Sequence, residues 1–193
     1  MTENKVLCGD AAEILKSLPQ GSANMCVTSP PYYGLRDYGI ENQIGTEQTP
    51  QEYVERLIKV FDEVYRVLMD DGTLWLNIGD SYAGSGKGKG LLQEDNVKDR
   101  PIYDKESKVF SMPNRWENIK PKDLIGIPWM LAFALRERGW YLRSDIIWHK
   151  INALPEAVKD RPAKCYEHIF LLTKSPRYYF DYEAIQEPIK AVT

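Results

Sequence analysis

Short apolar runs alternate with longer amphipathic segments through the first 78 residues, and this alternation is what most limits the possible folds. Apolar residues at steps of three and four between 51 and 69 predict one buried face of a helix. Short apolar runs that end at glycine or proline predict buried strands. The predicted order is strand 6–8, helix 10–18, strand 25–28, helix 51–69 and strand 73–78. This order favours an α/β fold with a parallel sheet and right-handed crossovers.

The boundaries of these elements carry residues that suit them. Asp10 can cap the first helix through its side-chain oxygen. Pro30 and Pro31 must end the strand at 25–28, because proline cannot donate a hydrogen bond to a sheet. Gly72, after two aspartates, is predicted to be a left-handed cap that ends the helix at 51–69.

The second half of the chain predicts an insertion followed by a different strand arrangement. Residues 84–120 show no periodicity and are rich in Gly, Lys, Asp and Pro, which predicts a flexible insertion within a single domain spanning 1–193. A helix at 124–138 follows. Strands are predicted at 144–149 and 168–173, with no obvious crossover helix between them. We therefore expect an antiparallel pair at one edge of the sheet.

Composition excludes several classes of protein. No apolar run approaches the roughly 20 residues that a membrane span needs, and the polar N-terminus is unlike a signal peptide. Cys8, Cys26 and Cys165 lack paired spacing, so we expect reduced, buried thiols. His149 and His168 also lack metal-binding spacing, and we expect structural roles for both. The sequence thus predicts a cytoplasmic protein with no metal site and no membrane partner.

Net charge is −3, which at first argues against a nucleic-acid partner. The charges are unevenly distributed, however. Residues 143–177 contain seven Lys or Arg and four Asp or Glu, so this stretch is +3 and the rest of the chain is −6. A locally basic face is compatible with DNA binding, and an ordinary solvated surface explains it equally well.

The tetrad Ser29-Pro30-Pro31-Tyr32 follows a predicted strand, where open α/β sheets bind ligands. Its residues suit methylation of an exocyclic base amine, whose lone pair is delocalised into the ring. The Ser29 hydroxyl and the Pro30 carbonyl could accept the amine hydrogens and free that lone pair. The fixed φ angles of Pro30 and Pro31 would preorganise the carbonyl. Tyr32 could stack on a flipped-out base. The alternative is a polyproline ligand or a plain turn.

The glycine-rich run from Gly84 to Gly90 lacks the spacing of a phosphate-binding loop, since neither Lys87 nor Lys89 precedes Ser or Thr. We expect Lys87 and Lys89 to approach DNA phosphates from a flexible loop, with a plain linker as the alternative.

Several blocks in order resemble the amino-methyltransferases of the permuted β group. They are V-L-C-G-D-A-A-E-I-L-K-S-L-P, M-C-V-T-S-P-P-Y-Y-G-L-R-D-Y-G, and the segments 72–82, 143–150 and 159–181. The resemblance implies a Rossmann-like sheet that binds S-adenosylmethionine and double-stranded DNA. It implies donor contacts from Asp10, Ala11, Ser29 and Pro30, and a catalytic tetrad at 29–32.

The same resemblance bears on the target base and on DNA contacts. The S-P-P-Y form is similar to the N4-cytosine branch, whereas N6-adenine enzymes more often carry Asp in place of Ser29. Residues 34–45 are similar to a loop beside the target base, which suggests DNA contacts from Tyr33 and Arg36. Arg36 could instead pair with Asp37 or Glu41.

One family feature is missing. The β group places a glycine-rich donor motif after the blocks found here, and no glycine follows Gly139. The strands of that motif would lie between strand 6–8 and strand 25–28, leaving strand 6–8 without a neighbour. We expect an excerpt of a longer enzyme, one subunit of a split enzyme, or a decayed remnant.

These observations predict a bacterial, archaeal or phage-encoded cytosine-N4 DNA methyltransferase of a restriction–modification type, possessing the base-binding half of the site. The alternatives are an adenine-N6 enzyme and a non-catalytic or decayed DNA-binding subunit.

Overall fold

Three α-helices and four strands make up most of the regular structure in this computed structural model, which describes residues 4–84, 118–153 and 155–187. In chain order the elements are α1 (Ala11–Lys16), β1 (Ala23–Thr28), α2 (Pro50–Val67), β2 (Leu68–Ile78), α3 (Ile127–Glu137), β3 (Tyr141–His149), β4 (Tyr166–Thr173) and a 3-10 turn at Glu183–Ile185. Every predicted helix is present, and so are four of the five predicted strands.

The four strands form one mixed sheet in the order β1-β2-β4-β3. β1 lies parallel to β2, with Cys26 beside Leu74 and Thr28 beside Leu76. β4 lies antiparallel between β2 and β3. The predicted α/β class, with a parallel start and an antiparallel pair at one edge, is confirmed.

The core lies between one face of the sheet and helices α2 and α3. Alternate residues of β2 are fully buried, because successive side chains of a strand point to opposite faces. The residues that meet there are Leu74, Leu76 and Ile78 from β2, Leu57 and Phe61 from α2, and Leu131 and Leu135 from α3. Full burial of each such side chain contributes about 1.5–3 kcal/mol, so this layer fixes the helices on the sheet.

Helix α2 begins at a complete capping box. The Thr49 hydroxyl accepts a hydrogen bond from the Glu52 N–H at 3.1 Å, and the Glu52 carboxylate accepts one from the Thr49 N–H at 3.2 Å. The helix ends at Val67, and Leu68 already pairs with Ala23 as the first residue of β2.

The prediction that Gly72 caps this helix was wrong, because Gly72 lies inside β2. A Cβ atom there would stand 2.9 Å from the Met69 carbonyl oxygen and 3.1 Å from that of Asn24. Glycine is therefore required by the close backbone approach of β1 and β2, and not by a left-handed turn.

The strand predicted at 6–8 is also absent. β1 is an outer strand among the described residues, and residues 6–8 do not pair with its free edge. Val6 is 97% exposed.

Cys8 is exposed as well, which corrects the expectation of a buried thiol, while Cys26 and Cys165 are partly buried.

Backbone pairing closes the base of the predicted insertion. The Ala83 N–H donates to the Asp123 carbonyl at 2.9 Å, and the Ile125 N–H donates to the Ser81 carbonyl at 2.9 Å. Residues 85–117, with Lys87 and Lys89, lie outside the described part of the chain. Within that part, no helix combines the length and apolar character that a membrane crossing requires.

Candidate active site

The tetrad at 29–32 lies where β1 ends, beside the end of the parallel strand β2. Ser29 and Pro31 are exposed, and Pro30 and Tyr32 are partly buried. The Tyr53 hydroxyl, from α2, donates to the Pro31 carbonyl at 2.8 Å. The turn is therefore fixed on both the sheet and the helix that follows it.

Three side chains surround the Tyr32 hydroxyl. The Tyr32 hydroxyl lies 2.9 Å from Glu167 Oε2 and 3.0 Å from Asn77 Oδ1, and both oxygens can accept its hydrogen. Ser29 Oγ donates to the Tyr32 oxygen at 3.4 Å. The second carboxylate oxygen of Glu167 forms an ion pair with the Lys150 ammonium group. A continuous chain of polar contacts thus runs from the tetrad to β4.

Gly79 determines how closely the Tyr32 ring approaches the end of β2. A Cβ atom at position 79 would stand 2.5 Å from Tyr32 Cε2 and 2.9 Å from Cδ2. No side chain can occupy that space without moving the ring, so glycine sets the ring position.

Burial and the nearby carboxylate set the ionisation of this cluster. Burial, followed by the hydrogen bond and negative charge of Glu167, raises the pKa of Tyr32 to about 12. For Glu167, burial favours the neutral form, but the Lys150 ammonium and the Tyr32 hydroxyl together lower its pKa below the usual value. At neutral pH, Tyr32 is therefore a hydrogen donor and Glu167 is an ionised acceptor.

Asp80, at the end of β2, joins the sheet to helix α3. Its carboxylate accepts hydrogen bonds from the N–H groups of Gly126 and Ile127 at 3.0 Å. Burial raises the Asp80 pKa despite these bonds. Lys164 lies near this carboxylate, and burial lowers the Lys164 pKa although Asp80 acts to raise it.

A cleft of about 420 Å³ opens beside the tetrad and is bounded by α1, β1 and α2. Three of the four residues predicted to contact the methyl donor, Ala11, Ser29 and Pro30, line this cleft. Asp10 is not in the lining, because its carboxylate caps α1 by accepting a hydrogen bond from the Glu13 N–H at 3.1 Å. Its proposed contact with the donor remains a prediction.

The lining suits part of S-adenosylmethionine. Most of it is aliphatic and aromatic, with Ile14, Val60, Phe61 and Val64 among its side chains, which fits a flat adenine ring. Among the described residues no charged side chain lines the cleft, so the charged amino-acid end of the donor has no partner in it.

The two residues predicted to contact DNA from the loop after the tetrad differ in exposure. Tyr33 is 1% exposed and packs against Tyr53 with ring centroids 5.3 Å apart, so its side chain is not at the surface, and its contact with DNA stays a prediction. Its apolar ring fills the core beneath the loop. Arg36 is exposed, and across residues 4–84, 118–153 and 155–187 its guanidinium forms no ion pair with Asp37 or Glu41.

His168 occupies a structural position. It is 8% exposed, its Nδ1 lies 2.8 Å from Asp145 Oδ1, and its ring stacks on Phe170. These contacts agree with the expected structural role. His149 lies exposed at the end of β3.

Sequence reasoning did not single out Asn77, Lys150 or Glu167, which the structure brings to Tyr32. A usable signal existed for Asn77, a polar residue between the buried Leu76 and Ile78 of β2. Glu167 and Lys150 stand at ends of predicted strands and had no comparable local signal.

The mixed sheet, with the tetrad at the end of a parallel strand, defines an α/β fold with a candidate site at its strand ends. The chain is similar in structure to the PvuII DNA methyltransferase (cytosine-N4-specific), with 17% identity and a TM-score of 0.61 over 92% of this chain and 51% of that one. It is also similar to a proposed DNA modification methylase from Thermus thermophilus, complexed with S-adenosyl-L-methionine. That match has 22% identity and a TM-score of 0.57 over 91% of this chain and 55% of the other. These likenesses establish the fold.

Sequence similarity then places the chain within a family. A profile for N6 and N4 methyltransferases, described as DNA methylase, matches residues 23–193, and the chain belongs to this DNA methylase family. The type II methyltransferase M.Cfr9I of Citrobacter freundii is 53% identical over 93% of this chain and 57% of its own length. The chain thus spans a little over half the length of that relative.

Proposed function

We propose that the chain forms the base-binding part of a DNA methyltransferase that transfers a methyl group from S-adenosylmethionine to the N4 amine of cytosine in double-stranded DNA. The observation that carries this proposal is that Ser29 and Pro30 line the cleft while Ser29 also contacts the Tyr32 hydroxyl. A donor in the cleft and an amine at the tetrad would meet at these two residues. Membership of the DNA methylase family supports this class of chemistry.

In the proposed mechanism, the chain activates the amine by orientation. The Ser29 oxygen and the Pro30 carbonyl accept the two amine hydrogens, which draws the nitrogen towards tetrahedral geometry and frees its lone pair. The Tyr53 hydroxyl, bonded to the Pro31 carbonyl, holds the turn in place. When bound, S-adenosylmethionine would supply an electrophilic methyl group: the S–CH3 bond breaks as the N–CH3 bond forms, S-adenosylhomocysteine leaves, and the methylated amine releases one proton to solvent.

The choice of cytosine rests on Ser29, the residue type that resembles the N4 branch. The PvuII enzyme, which is named cytosine-N4-specific, shares the fold of this chain. Mass analysis of the methylated base tests the choice between cytosine and adenine.

The loop at 34–45 is proposed to meet DNA. It exposes Arg36 together with the large apolar side chains Leu35, Tyr38 and Ile40. A cation beside exposed apolar groups suits a phosphate next to a displaced base. Lys87 and Lys89 are proposed as further phosphate contacts on the insertion.

The charged end of the donor is proposed to bind residues outside this cleft, on a continuation of the chain or on a second polypeptide. Two observations support this proposal: the described residues that line the cleft carry no charge, and M.Cfr9I is longer than this chain. That relative is named a type II methyltransferase. We propose for this chain a restriction–modification role in a bacterial cytoplasm.

The test uses the full-length gene product, duplex DNA and S-adenosylmethionine labelled in its methyl group. We expect label in DNA, and N4-methylcytosine after nuclease digestion and mass analysis. Ser29→Ala should lower the transfer rate about 100-fold, because an oriented acceptor is lost. Ser22→Ala, which removes an exposed hydroxyl that only bonds the Pro19 carbonyl, is the matched control and should leave the rate unchanged.

Other outcomes would contradict parts of the proposal. N6-methyladenine as the product would overturn the assignment to cytosine. DNA binding without any methyl transfer would favour the non-catalytic subunit. Full activity in a Ser29→Ala, Tyr32→Ala double variant would remove the mechanism.

A further inference from the structure

Glu167 is a carboxylate that the proposed mechanism does not use. It lies on β4, 135 residues along the chain from Tyr32, and its side chain is only 15% exposed. One carboxylate oxygen meets the Tyr32 hydroxyl at 2.9 Å, and the other meets the Lys150 ammonium. Glu167 is thus a partly buried carboxylate with both oxygens engaged next to the proposed catalytic turn, which is the environment of a group that orients a site.

The hydrogen bonds around Tyr32 have a fixed direction. An ionised carboxylate can only accept, so Glu167 attracts the phenolic hydrogen. Asn77 also presents an acceptor, because its amide nitrogen donates to the His168 carbonyl at 3.2 Å and its oxygen therefore faces Tyr32. With its hydrogen directed to these acceptors, the Tyr32 oxygen is left to accept a hydrogen from Ser29, as observed at 3.4 Å.

We propose that Glu167, paired with Lys150, is a positioning residue that orients the Ser29 hydroxyl through Tyr32. The Ser29 hydrogen points to Tyr32, so the free lone pairs of Ser29 face outward as acceptors. This inference rests on the proposed function. Because the outward lone pairs of Ser29 can only accept hydrogens, the tetrad favours a base with an amine at this position, as in cytosine. It disfavours a base with a carbonyl there, as in thymine.

Lys150 fixes the donor-to-acceptor direction of the hydrogen bonds that link Glu167, Tyr32 and Ser29. A protonated Glu167 could donate to Tyr32 and reverse every bond up to Ser29. The ammonium group of Lys150 stabilises the ionised carboxylate, and the Lys150 backbone N–H is itself held by the Cys165 carbonyl at 2.7 Å. Lys150 and Glu167 therefore act as one unit.

The first test measures the Tyr32 phenol in the full-length protein and does not depend on enzyme activity. With ¹³C-labelled tyrosine and Tyr32→Phe to assign the signal, NMR titration should place the wild-type pKa at about 12. Glu167→Gln should lower that pKa by about 1 unit, because a neighbouring negative charge is removed. Glu156→Gln is the matched control, since Glu156 pairs with Arg161 instead, and should leave the Tyr32 pKa unchanged.

The second test measures methyl transfer. Glu167→Gln should lower kcat about tenfold with little change in KM for DNA, because orientation is lost and DNA contacts are kept. In a Tyr32→Phe background the same substitution should have no further effect, because Glu167 acts through the Tyr32 hydroxyl.

The results can distinguish failure of the proposed role of Glu167 from failure of the proposed methyltransferase function. An equal Tyr32 pKa in wild type and Glu167→Gln, or an undiminished effect of Glu167→Gln in the Tyr32→Phe background, overturns the role of Glu167 even in an active enzyme. A shifted Tyr32 pKa in a protein that transfers no methyl group overturns the proposed function instead.

Discussion

At the scale of single residues, the Tyr32 ring is held between the backbone at Gly79 and the polar groups of Ser29, Asn77 and Glu167. The polar groups fix the hydroxyl end, and the missing side chain at Gly79 lets the ring lie close to the strand. A residue without a functional group is therefore as necessary to the site as those that form its hydrogen bonds.

Gly79→Ala tests this close approach. The added methyl group would overlap the Tyr32 ring, so we expect at least about a tenfold loss of methyl transfer and about 1–3 kcal/mol of lost stability. Gly21→Ala is the control, because nothing lies within 4 Å of its Cβ position and only its φ of 64° is strained. It should cost about 1 kcal/mol and leave the activity of folded protein unchanged. Equal activity losses in the two variants would contradict the steric argument.

The ionisation of Glu167 predicts a pH-dependent stability. Its pKa is lowered in the folded protein from an ordinary value of 4.5, so folding favours the ionised form. That stabilisation is present above about pH 4.5 and is lost as the pH falls through the folded-state pKa. We expect the Tm difference between wild type and Glu167→Gln to be largest near neutral pH and to shrink in acid. A difference that stays constant with pH would show that the charge of Glu167 contributes nothing.

At the scale of elements, the N-terminus of helix α3 is capped by a residue that follows strand β2. Gly126 precedes the helix with a φ of 84°, and it has no side chain to accept the first N–H groups. The Asp80 carboxylate, from the end of β2, accepts from Gly126 and Ile127. The strand end and the helix start are therefore fixed together, which holds α3 on the sheet.

Asp80→Ala should destabilise the protein by about 1–3 kcal/mol, because the partly buried N–H groups of Ser81, Gly126 and Ile127 lose their acceptor. Asp80→Asn retains one oxygen and should cost less. Asp71→Asn, a change at an exposed position, should stay within about 0.5 kcal/mol of wild type. Denaturant unfolding of the three variants provides the comparison, and an unchanged midpoint for Asp80→Ala would contradict the capping role.

At the scale of the whole molecule, the outer edge of β1 is apolar and exposed. Met25 and Val27 are 57% and 69% exposed, and within the described ranges no strand lies beyond them. Free strand edges with apolar side chains pair readily with other chains. The cleft is lined by Cys26 and Thr28, which alternate with Met25 and Val27 along β1. The exposed apolar side chains therefore lie on the face of β1 opposite the cleft.

The purified 193-residue chain should therefore self-associate as its concentration rises. Val27→Lys should increase the monomer fraction in sedimentation equilibrium, because a charge on the edge opposes strand pairing. Ile151→Lys is the control, since Ile151 is 90% exposed in the turn after β3, away from this edge. If both variants raise the monomer fraction equally, general hydrophobicity explains the association and the edge of β1 does not.

The sequence by itself determined the features that depend on neighbours a few residues apart. Asp10 caps α1 and accepts from Glu13, and the proline pair follows the end of β1. Helical periodicity, caps and prolines act over one turn of chain, so the helices, most strands and the position of the tetrad could be read directly.

Only the tertiary structure determined which residues far apart in the chain come into contact. The register between β2 and β4 brings Asn77 and Glu167 to one hydroxyl, and that register depends on pairing across the whole sheet. The same long-range packing buries Tyr33 and draws Gly72 into β2. Among the described residues no strand lies on the free side of β1, and residues 6–8 form no strand. Contacts between residues about 90 to 135 positions apart are set by strand pairing and core packing, which no local pattern specifies.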